Sequence, residues 1–250
     1  MKKPKFLYRY RALGRPPAGK ADPNSIEEVT FRRAALYFPS RTQFNDPFDC
    51  IMPDMSDISD DKFRELMIKR AKEEFQERSE SEREVYAEEM YSLGRAKIEE
   101  ILQQFADNLG VLSFSSKADN APMWAHYANN HKGMCLEFDT RDPLFQTVRP
   151  ITYSAKALKY VPGDHSGNAE AFLLTKERRW RYEDEWRVIG PKAKTLYPFK
   201  PESLTKLIFG ASCADPDIEK VKKWIAAGPC NPRLCKAMLR SGYKIGTVGL

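Results

Sequence analysis

Alternating apolar and polar residues predict strands along much of the chain. Residues 6–13 alternate aromatic or aliphatic side chains with arginines, and residues 109–115 form the clearest apolar strand of the first half. Because successive side chains of a strand point to opposite faces, this alternation is typical of a half-buried strand. Further strands are predicted at residues 35–38, 134–138, 148–153, 204–209, 234–238 and 243–248.

Apolar residues at helical spacing predict helices between these strands. Ser25 and Ser59 are suitable N-caps because acidic residues follow each of them in the first turn. The predicted helices cover about residues 25–33, 60–75, 82–105, 123–130, 169–178 and 216–227.

Strands that come in runs, with helices inserted between them, indicate an α+β fold. We expect a single domain over residues 1–250 with a mixed, largely antiparallel central sheet. Residues 59–108 hold 14 acidic and 9 basic side chains. They are expected to form an acidic helical hairpin inserted into the domain.

Segments rich in turn-forming residues predict the main loops. Residues 14–24 and 162–167 are rich in proline and glycine, which favours loops. Residues 44–49, Phe-Asn-Asp-Pro-Phe-Asp, predict a turn between two phenylalanines. We expect Phe44 and Phe48 to anchor this turn in the core, so that Phe48→Ala costs about 3–5 kcal/mol of folding free energy.

Residues 179–189 form a dense mixture of charged and aromatic side chains. As an extended strand they place Glu183 and Glu185 on one face, with Arg181 and Arg187 beside them. One interpretation is a strand whose polar face is neutralised by its own ion pairs. The other is a site in which a carboxylate stabilises positive charge that develops on a substrate.

Composition and charge narrow the range of partners. The chain is 42% hydrophobic and 30% charged, with a net charge of +6, which is typical of a soluble globular protein. Outside residues 59–108 it holds 32 basic and 21 acidic residues, and such a basic body suits a nucleotide or a nucleic acid. No stretch reaches the roughly 20 apolar residues of a membrane span. We therefore expect a cytoplasmic protein with no membrane partner.

Residues 123–133, Met-Trp-Ala-His-Tyr-Ala-Asn-Asn-His-Lys-Gly, form a second chemically rich segment. His126 and His131 are five residues apart, which does not place both on one metal as a four-residue spacing would. The five cysteines are scattered and odd in number, which indicates reduced thiols and no zinc site. We expect no metal, and His126 has two interpretations: a ligand-binding residue, or a satisfied and partly buried histidine.

Five motifs in this order resemble a widespread bacterial family known as domain of unknown function 2971 (DUF2971). They are Leu7-Tyr8-Arg9-Tyr10-Arg11, residues 36–38 with residues 44–49, residues 112–115, residues 123–128 with residues 131–133, and residues 180–187. The resemblance spans nearly the whole chain, but the family brings no established function with it.

The order of an arginine, a Ser-x-Ser and a Glu-x-Glu is also similar to that of ADP-ribosyltransferases of the arginine-serine-glutamate type. This resemblance implies NAD as a substrate that is gripped at its pyrophosphate by an arginine. The implied catalytic residues are Ser113, Glu183 and Glu185, and the implied NAD-binding residues are Arg9, Arg11, Ser115, Tyr37, Trp124, His126 and Tyr127. The middle motif lacks the threonine that is usual in those enzymes. We expect Arg9 or Arg11 to meet Ser113 and Glu185 in one cleft.

Two functions from different classes remain open. One is an NAD-using enzyme, ADP-ribosyltransferase-like or NAD-glycohydrolase-like, of a bacterial toxin or phage-defence system. In such an enzyme a carboxylate stabilises the oxocarbenium-like ribose that forms when the nicotinamide bond breaks. The other is a non-catalytic module whose basic body binds nucleic acid or a partner protein, such as a cognate antitoxin.

Overall fold

The computed structural model describes residues 2–13, 23–51, 55, 58–156, 158–159, 171–242 and 244–250. The chain divides into two compact units. The first, named the sheet unit, contains Met1–Pro39, Gly110–Ile151 and Arg179–Leu250, and the second, named the helical unit, contains Ser40–Leu109 and Thr152–Arg178. That the chain is a single domain with residues 59–108 inserted in it stays a prediction.

The described residues form twelve strands and five longer helices. The strands are β1 Phe6–Arg11, β2 Ala35–Phe38, β3 Gly110–Ser115, β4 Met134–Asp139, β5 Arg149–Pro150, β6 Thr152–Ser154, β7 Thr175–Glu177, β8 Glu185–Gly190, β9 Thr195–Pro198, β10 Leu204–Phe209, β11 Arg233–Arg240 and β12 Lys244–Gly249. The helices are α1 Pro23–Arg33, α2 Asp60–Glu74, α3 Glu80–Asn108, α4 Ala121–Tyr127 and α5 Asp215–Ala226. Short 3₁₀ helices lie at Arg41–Gln43, Pro143–Phe145, Arg178–Glu183 and Pro201–Ser203.

Eight of these strands form one central sheet in the order β12-β11-β10-β4-β1-β3-β8-β5. Its neighbouring strands are antiparallel, except for β10 and β11, which are parallel. The predicted α+β fold with a mixed, largely antiparallel sheet is therefore confirmed. In the sheet unit, β2 also pairs with β9, a strand that the sequence pattern does not predict.

One face of the central sheet is apolar and packs against α1 and α5. Phe138 of β4 lies at the centre of an aromatic cluster on this face and is completely buried. Its ring centroid lies 5.9 Å from that of Phe114, 5.8 Å from that of Phe145 and 5.2 Å from that of Phe199. This surface, which we call the apolar face, holds most of the buried hydrophobic residues of the sheet unit.

The opposite face is partly apolar and partly polar. Helix α4 covers its apolar part, where Trp124 is fully buried against Tyr10 with the ring centroids 5.2 Å apart. Cys135 and Ile208 also belong to this smaller core. The rest of the surface carries charged and hydroxyl side chains, and we call the whole surface the polar face.

The helical unit contains the two helices that the sequence predicts between residues 59 and 108. Ser59 caps α2, and Ser79 and Glu82 form a capping box at the start of α3. Gly94 has a φ of 75°, a left-handed conformation that kinks α3. The apolar residues between α2 and α3 are mainly Phe63, Leu66, Met67, Ala71, Ala87 and Ile98. No helix in the described ranges is long and apolar enough to cross a membrane.

The structure corrects three predicted elements. Arg178–Glu183 is a 3₁₀ helix, and strand β8 begins only at Glu185 because Asp184 is left-handed, with a φ of 44°. Residues 148–153 are divided between β5 and β6, which belong to different sheets. Thr175–Glu177 forms β7 where the sequence pattern predicts a helix. The predicted loop at residues 162–167 and most of the one at residues 14–24 lie outside the described residues.

The predicted burial of Phe48 is wrong. Its side chain is 75% exposed, whereas Phe44 is half-buried. The turn is closed by its own polar groups, since the Phe48 amide donates to Asp46 Oδ1 at 2.9 Å and the Asp49 amide donates to the Asp46 carbonyl at 3.1 Å. Because these bonds hold the turn, it needs no aromatic anchor at Phe48.

Candidate functional site

A row of polar side chains crosses the polar face of the central sheet. Strand register places Lys206 beside Glu137, Glu137 beside Tyr8, Tyr8 beside Ser115 and Ser115 beside Glu185. Residues that are directly opposite each other in neighbouring strands lie on the same face. Strands β10, β4, β1, β3 and β8 therefore each contribute one side chain to this set, which we call the polar row.

Glu137 is a buried carboxylate near one end of the polar row. It is 4% exposed and accepts hydrogen bonds from Lys206 Nζ at 2.7 Å and from Thr205 Oγ1 at 2.8 Å. Tyr8 lies opposite it in the neighbouring strand. Burial, and then the Glu137 charge, raise the pKa of Tyr8 far above its usual range. The phenol therefore stays protonated at neutral pH.

Two more buried carboxylates lie at the other end of the row. Glu183 is 2% exposed, and its Oε1 accepts a hydrogen bond of 2.6 Å from the Tyr127 hydroxyl of α4. Glu185 is 4% exposed, and its Oε1 accepts a bond of 2.6 Å from Nε of Arg187, which is completely buried. Buried charges of this kind are costly to desolvate, so their partners and positions are strongly constrained.

A local turn, and not strand alternation, positions Glu183. The backbone carbonyl of Glu183 accepts a hydrogen bond of 2.7 Å from Ser115 Oγ, and the Ser116 amide donates to the carbonyl of Asp184 at 3.0 Å. The Asn120 side-chain amide donates to the carbonyl of Tyr182. The predicted strand over residues 179–189 does not hold at this point, and Glu183 reaches the site from the end of the 3₁₀ helix.

The two arginines of β1 do not lie on the polar face. The register of β1 with β4 places Arg9 and Arg11 opposite Leu136 and Met134 of the apolar face. Arg9 Nη1 donates to the backbone carbonyl of Ser113 at 2.9 Å, and Arg11 Nε pairs with Glu27 Oε1 of α1 at 2.5 Å. Burial, and then the Arg11 charge, lower the pKa of Arg9, but a guanidinium remains protonated in proteins.

The structure brings together some of the residues that the resemblance to ADP-ribosyltransferases implies. Ser113 lies opposite Arg187 and Ser115 lies opposite Glu185, so both serines share the polar face with the carboxylate. The expected meeting of a β1 arginine with Ser113 and Glu185 is not found. Two arginines share this face with them: Arg187, from the same strand as Glu185, and Arg149 of β5, which lies opposite Arg187.

The predicted aromatic residues are dispersed. Tyr37 lies on β2, which pairs with β9 outside the central sheet. Trp124 is in the core, where its Nε1 donates to the carbonyl of Ala118 at 2.8 Å and its ring stacks on His131. Tyr127 contacts a carboxylate of the site, Glu183. His126 lies beside Tyr182, with ring centroids 6.2 Å apart.

Sequence reasoning missed Tyr8, Glu137 and Lys206 as members of the site. Glu137 carries a signal, because it is the one charged residue within the apolar run 134–138, and a charge in a central strand needs partners. Tyr8 lies two residues from Tyr10 in the alternating first strand. Only the register of β1, β4 and β10 shows that these three side chains meet.

Comparisons with known proteins agree with one sequence resemblance. Residues 123–161 match the family described as a protein of unknown function, DUF2971. The resemblance to DUF2971 is thus confirmed. Neither curated proteins nor solved structures give a match to the chain. Within the described ranges, no group of three or more His, Cys, Asp or Glu side chains is placed to hold a metal ion.

Proposed function

We propose that the chain is an enzyme that cleaves the nicotinamide N-glycosidic bond of NAD, as an ADP-ribosyltransferase or an NAD glycohydrolase. The observation that carries this proposal is the pair of buried carboxylates, Glu183 and Glu185, held at the end of the polar row by Tyr127 and Arg187. Such an enzyme suits a bacterial toxin or phage-defence system with a cognate antitoxin.

In this proposal the carboxylates interact with the positive charge that forms on the substrate. When the C–N bond breaks, its electron pair leaves with nicotinamide, which becomes neutral, and the ribose becomes an oxocarbenium-like cation. Glu185 stabilises that cation before water or an acceptor nucleophile captures it. Glu183 orients the substrate. Arg149 of β5, which is exposed and lies opposite Arg187 in the neighbouring strand, takes the pyrophosphate contact that the sequence resemblance assigns to Arg9 or Arg11.

Replacing Glu185 by glutamine tests the proposal. The purified protein should release nicotinamide from NAD, and Glu185→Gln should lower that rate by about 10²-fold or more, as expected for the loss of one electrostatic stabiliser. Glu202→Gln is the matched control, because Glu202 is exposed on the surface of the same unit. Nicotinamide release is measured by liquid chromatography.

A structural role for Glu185 must be separated from a catalytic one. The double variant Glu185→Gln/Arg187→Met removes the whole buried pair and so restores stability that the single change loses. If NAD turnover returns together with stability in the double variant, Glu185 is only an ion-pair partner of Arg187. Wild-type protein that releases no nicotinamide at all contradicts the proposal directly.

A second candidate function, nucleic-acid binding, is favoured by the charge of the sheet unit. That unit contains 27 Lys and Arg against 14 Asp and Glu, whereas the helical unit contains 14 against 21. A basic module would bind a fluorescently labelled oligonucleotide with an affinity that falls steeply as salt rises. In that case Glu185→Gln leaves binding unchanged or slightly tighter, and NAD is not consumed.

A further inference from the structure

The helical unit contains a pocket that the proposed function does not use. Its volume is about 200 Å³, and its apolar walls come from Phe48, Ile51, Leu158 and Phe172. Phe48 and Ile51 are 75% and 48% exposed, whereas Phe172 is buried. The pocket therefore has an apolar floor and two exposed apolar side chains at its rim.

The rim is built from a turn with a fixed shape. Asp46 accepts hydrogen bonds from the amides of Phe48 and Asp49, as described above, and Pro47 fixes one backbone angle between them. An exposed phenylalanine forgoes the stabilisation that its burial provides. A rigid turn that holds such a ring beside a pocket is pre-organised for contact with a ligand.

A buried ion pair ties this turn to strand β7. Lys176 Nζ lies 3.3 Å from Asp49 Oδ2, and the two side chains are only 6% and 5% exposed. Lys176 also lines the pocket. Because breaking a buried pair leaves an uncompensated charge, the pair keeps Phe48 in a constant position relative to β7.

The remaining polar groups give the pocket its charge. Lys156 is exposed at its edge, and Ser154 fixes the adjacent backbone by accepting from the Lys156 amide at 3.1 Å and donating to the Lys156 carbonyl at 2.8 Å. Among the described residues of the lining, Glu177 is acidic. Lys176 is already paired with Asp49 and Glu177 makes a contact of its own, so Lys156 is the exposed cation that the described lining offers to a ligand with a single negative charge.

We propose that this pocket binds a single-ring aromatic carboxylate. The ring packs against Phe48, Ile51 and Phe172, and the carboxylate pairs with Lys156. A cavity of about 150 Å³ accommodates benzene, so about 200 Å³ has room for one substituted ring. The volume lies below the range of about 300–1,000 Å³ that is usual for larger ligands.

Fluorine NMR with two isosteric probes tests this assignment. 4-Fluorobenzoate should bind the full-length protein, and uncharged 4-fluorobenzamide should bind about fivefold more weakly, as expected for one exposed ion pair. Phe48→Ala should weaken both probes by about tenfold, since it removes an aromatic contact and apolar area. Lys156→Gln should weaken only 4-fluorobenzoate, by about fivefold.

Phe105→Ala is the matched control, because Phe105 lies on α3 of the same unit and is 53% exposed. Both phenylalanine changes are at exposed positions, so each variant should unfold at the wild-type urea concentration. The proposal is overturned if 4-fluorobenzoate does not bind, or if Phe105→Ala weakens it as much as Phe48→Ala. Tighter binding of the cationic probe 4-fluorobenzylamine would also overturn it, because Glu177 would then be the recognising group.

Discussion

The two faces of the central sheet are built by the same strands but are stabilised by different physics. On β4, Phe138 points to the apolar face and its neighbour Glu137 points to the polar face, and both are buried. Burying apolar area stabilises the fold by about 25 cal/mol per Å². Burying a charged pair often gives no net stability, because desolvation offsets the attraction between the charges.

This difference indicates which face is free to carry function. The fold draws its stability mainly from the apolar face, where the aromatic cluster around Phe138 lies. Glu185 and Arg187 are therefore poorly explained as a means of stabilisation. Groups that cost stability tend to persist at functional sites. This general tendency supports the polar face as the location of the proposed chemistry.

Phe138→Ala should have the largest effect on stability. The side chain is completely buried, so its truncation leaves a cavity and should cost about 3–5 kcal/mol. Because no charge is involved, the loss should be similar at pH 5 and pH 8. Urea denaturation at the two pH values measures it, and a loss below about 1 kcal/mol would show that this face does not carry the core.

Arg187→Met should lower the free energy of unfolding by about 3 kcal/mol, slightly less than Phe138→Ala does. The reason is that it leaves the Glu185 carboxylate buried without its arginine. Removing both members of the buried pair distinguishes the two faces more sharply. Glu185→Gln/Arg187→Met should be closer to wild type than Arg187→Met is, since neither buried charge then remains. Equal losses in the single and double variants would mean that the polar face stabilises the fold as the apolar face does.

Tyr8→Phe should cost about 1.5–2 kcal/mol, since the phenol lies beside the charged Glu137 carboxylate in the neighbouring strand, and a polar contact to a charged group contributes more than one to a neutral group. Tyr10→Phe is the matched change on the same strand, where the hydroxyl donates to the neutral carbonyl of Lys117 at 2.8 Å. It should cost about 1 kcal/mol. If the order of the two losses is reversed in urea denaturation, Glu137 does not depend on Tyr8.

Asp139→Asn should give the smallest change, a fall in Tm of at most about 2–4 °C at pH 7. The hydrogen bond from Arg141 is the main cause that lowers the pKa of Asp139 below its usual value. A depressed carboxyl pKa stabilises the fold above the unfolded pKa of about 3.9, and this contribution is lost as pH falls through the folded pKa. The difference in Tm between Asp139→Asn and wild type should therefore shrink below about pH 4. A difference that stays constant from pH 7 to pH 3 would assign the effect to something other than this charge.

Local patterns in the sequence determined most elements of the fold. Strand β10 has the predicted bounds, Leu204–Phe209, because this mainly apolar segment lies between Pro201 and Gly210. Helices α2 and α3 begin after Ser59 and Ser79, where serine side chains satisfy free backbone amides. Strand β9 and the 3₁₀ helix at Arg178–Glu183 were missed, since their short sequences do not show a distinct period.

The candidate site depended on information that no local pattern contains. Alternation shows that Arg9 and Arg11 share one face of β1 and that Tyr8 lies on the other. It does not show which of these faces coincides with the face of β8 that carries Glu185. The pairing of Tyr8 with Ser115, and of Ser115 with Glu185, decides this and places both arginines on the apolar side. A shift of one residue in that register would exchange the side chains on the two faces of β1. The sequence therefore determines which chemical groups each strand carries, and the tertiary structure decides which of these groups lie together.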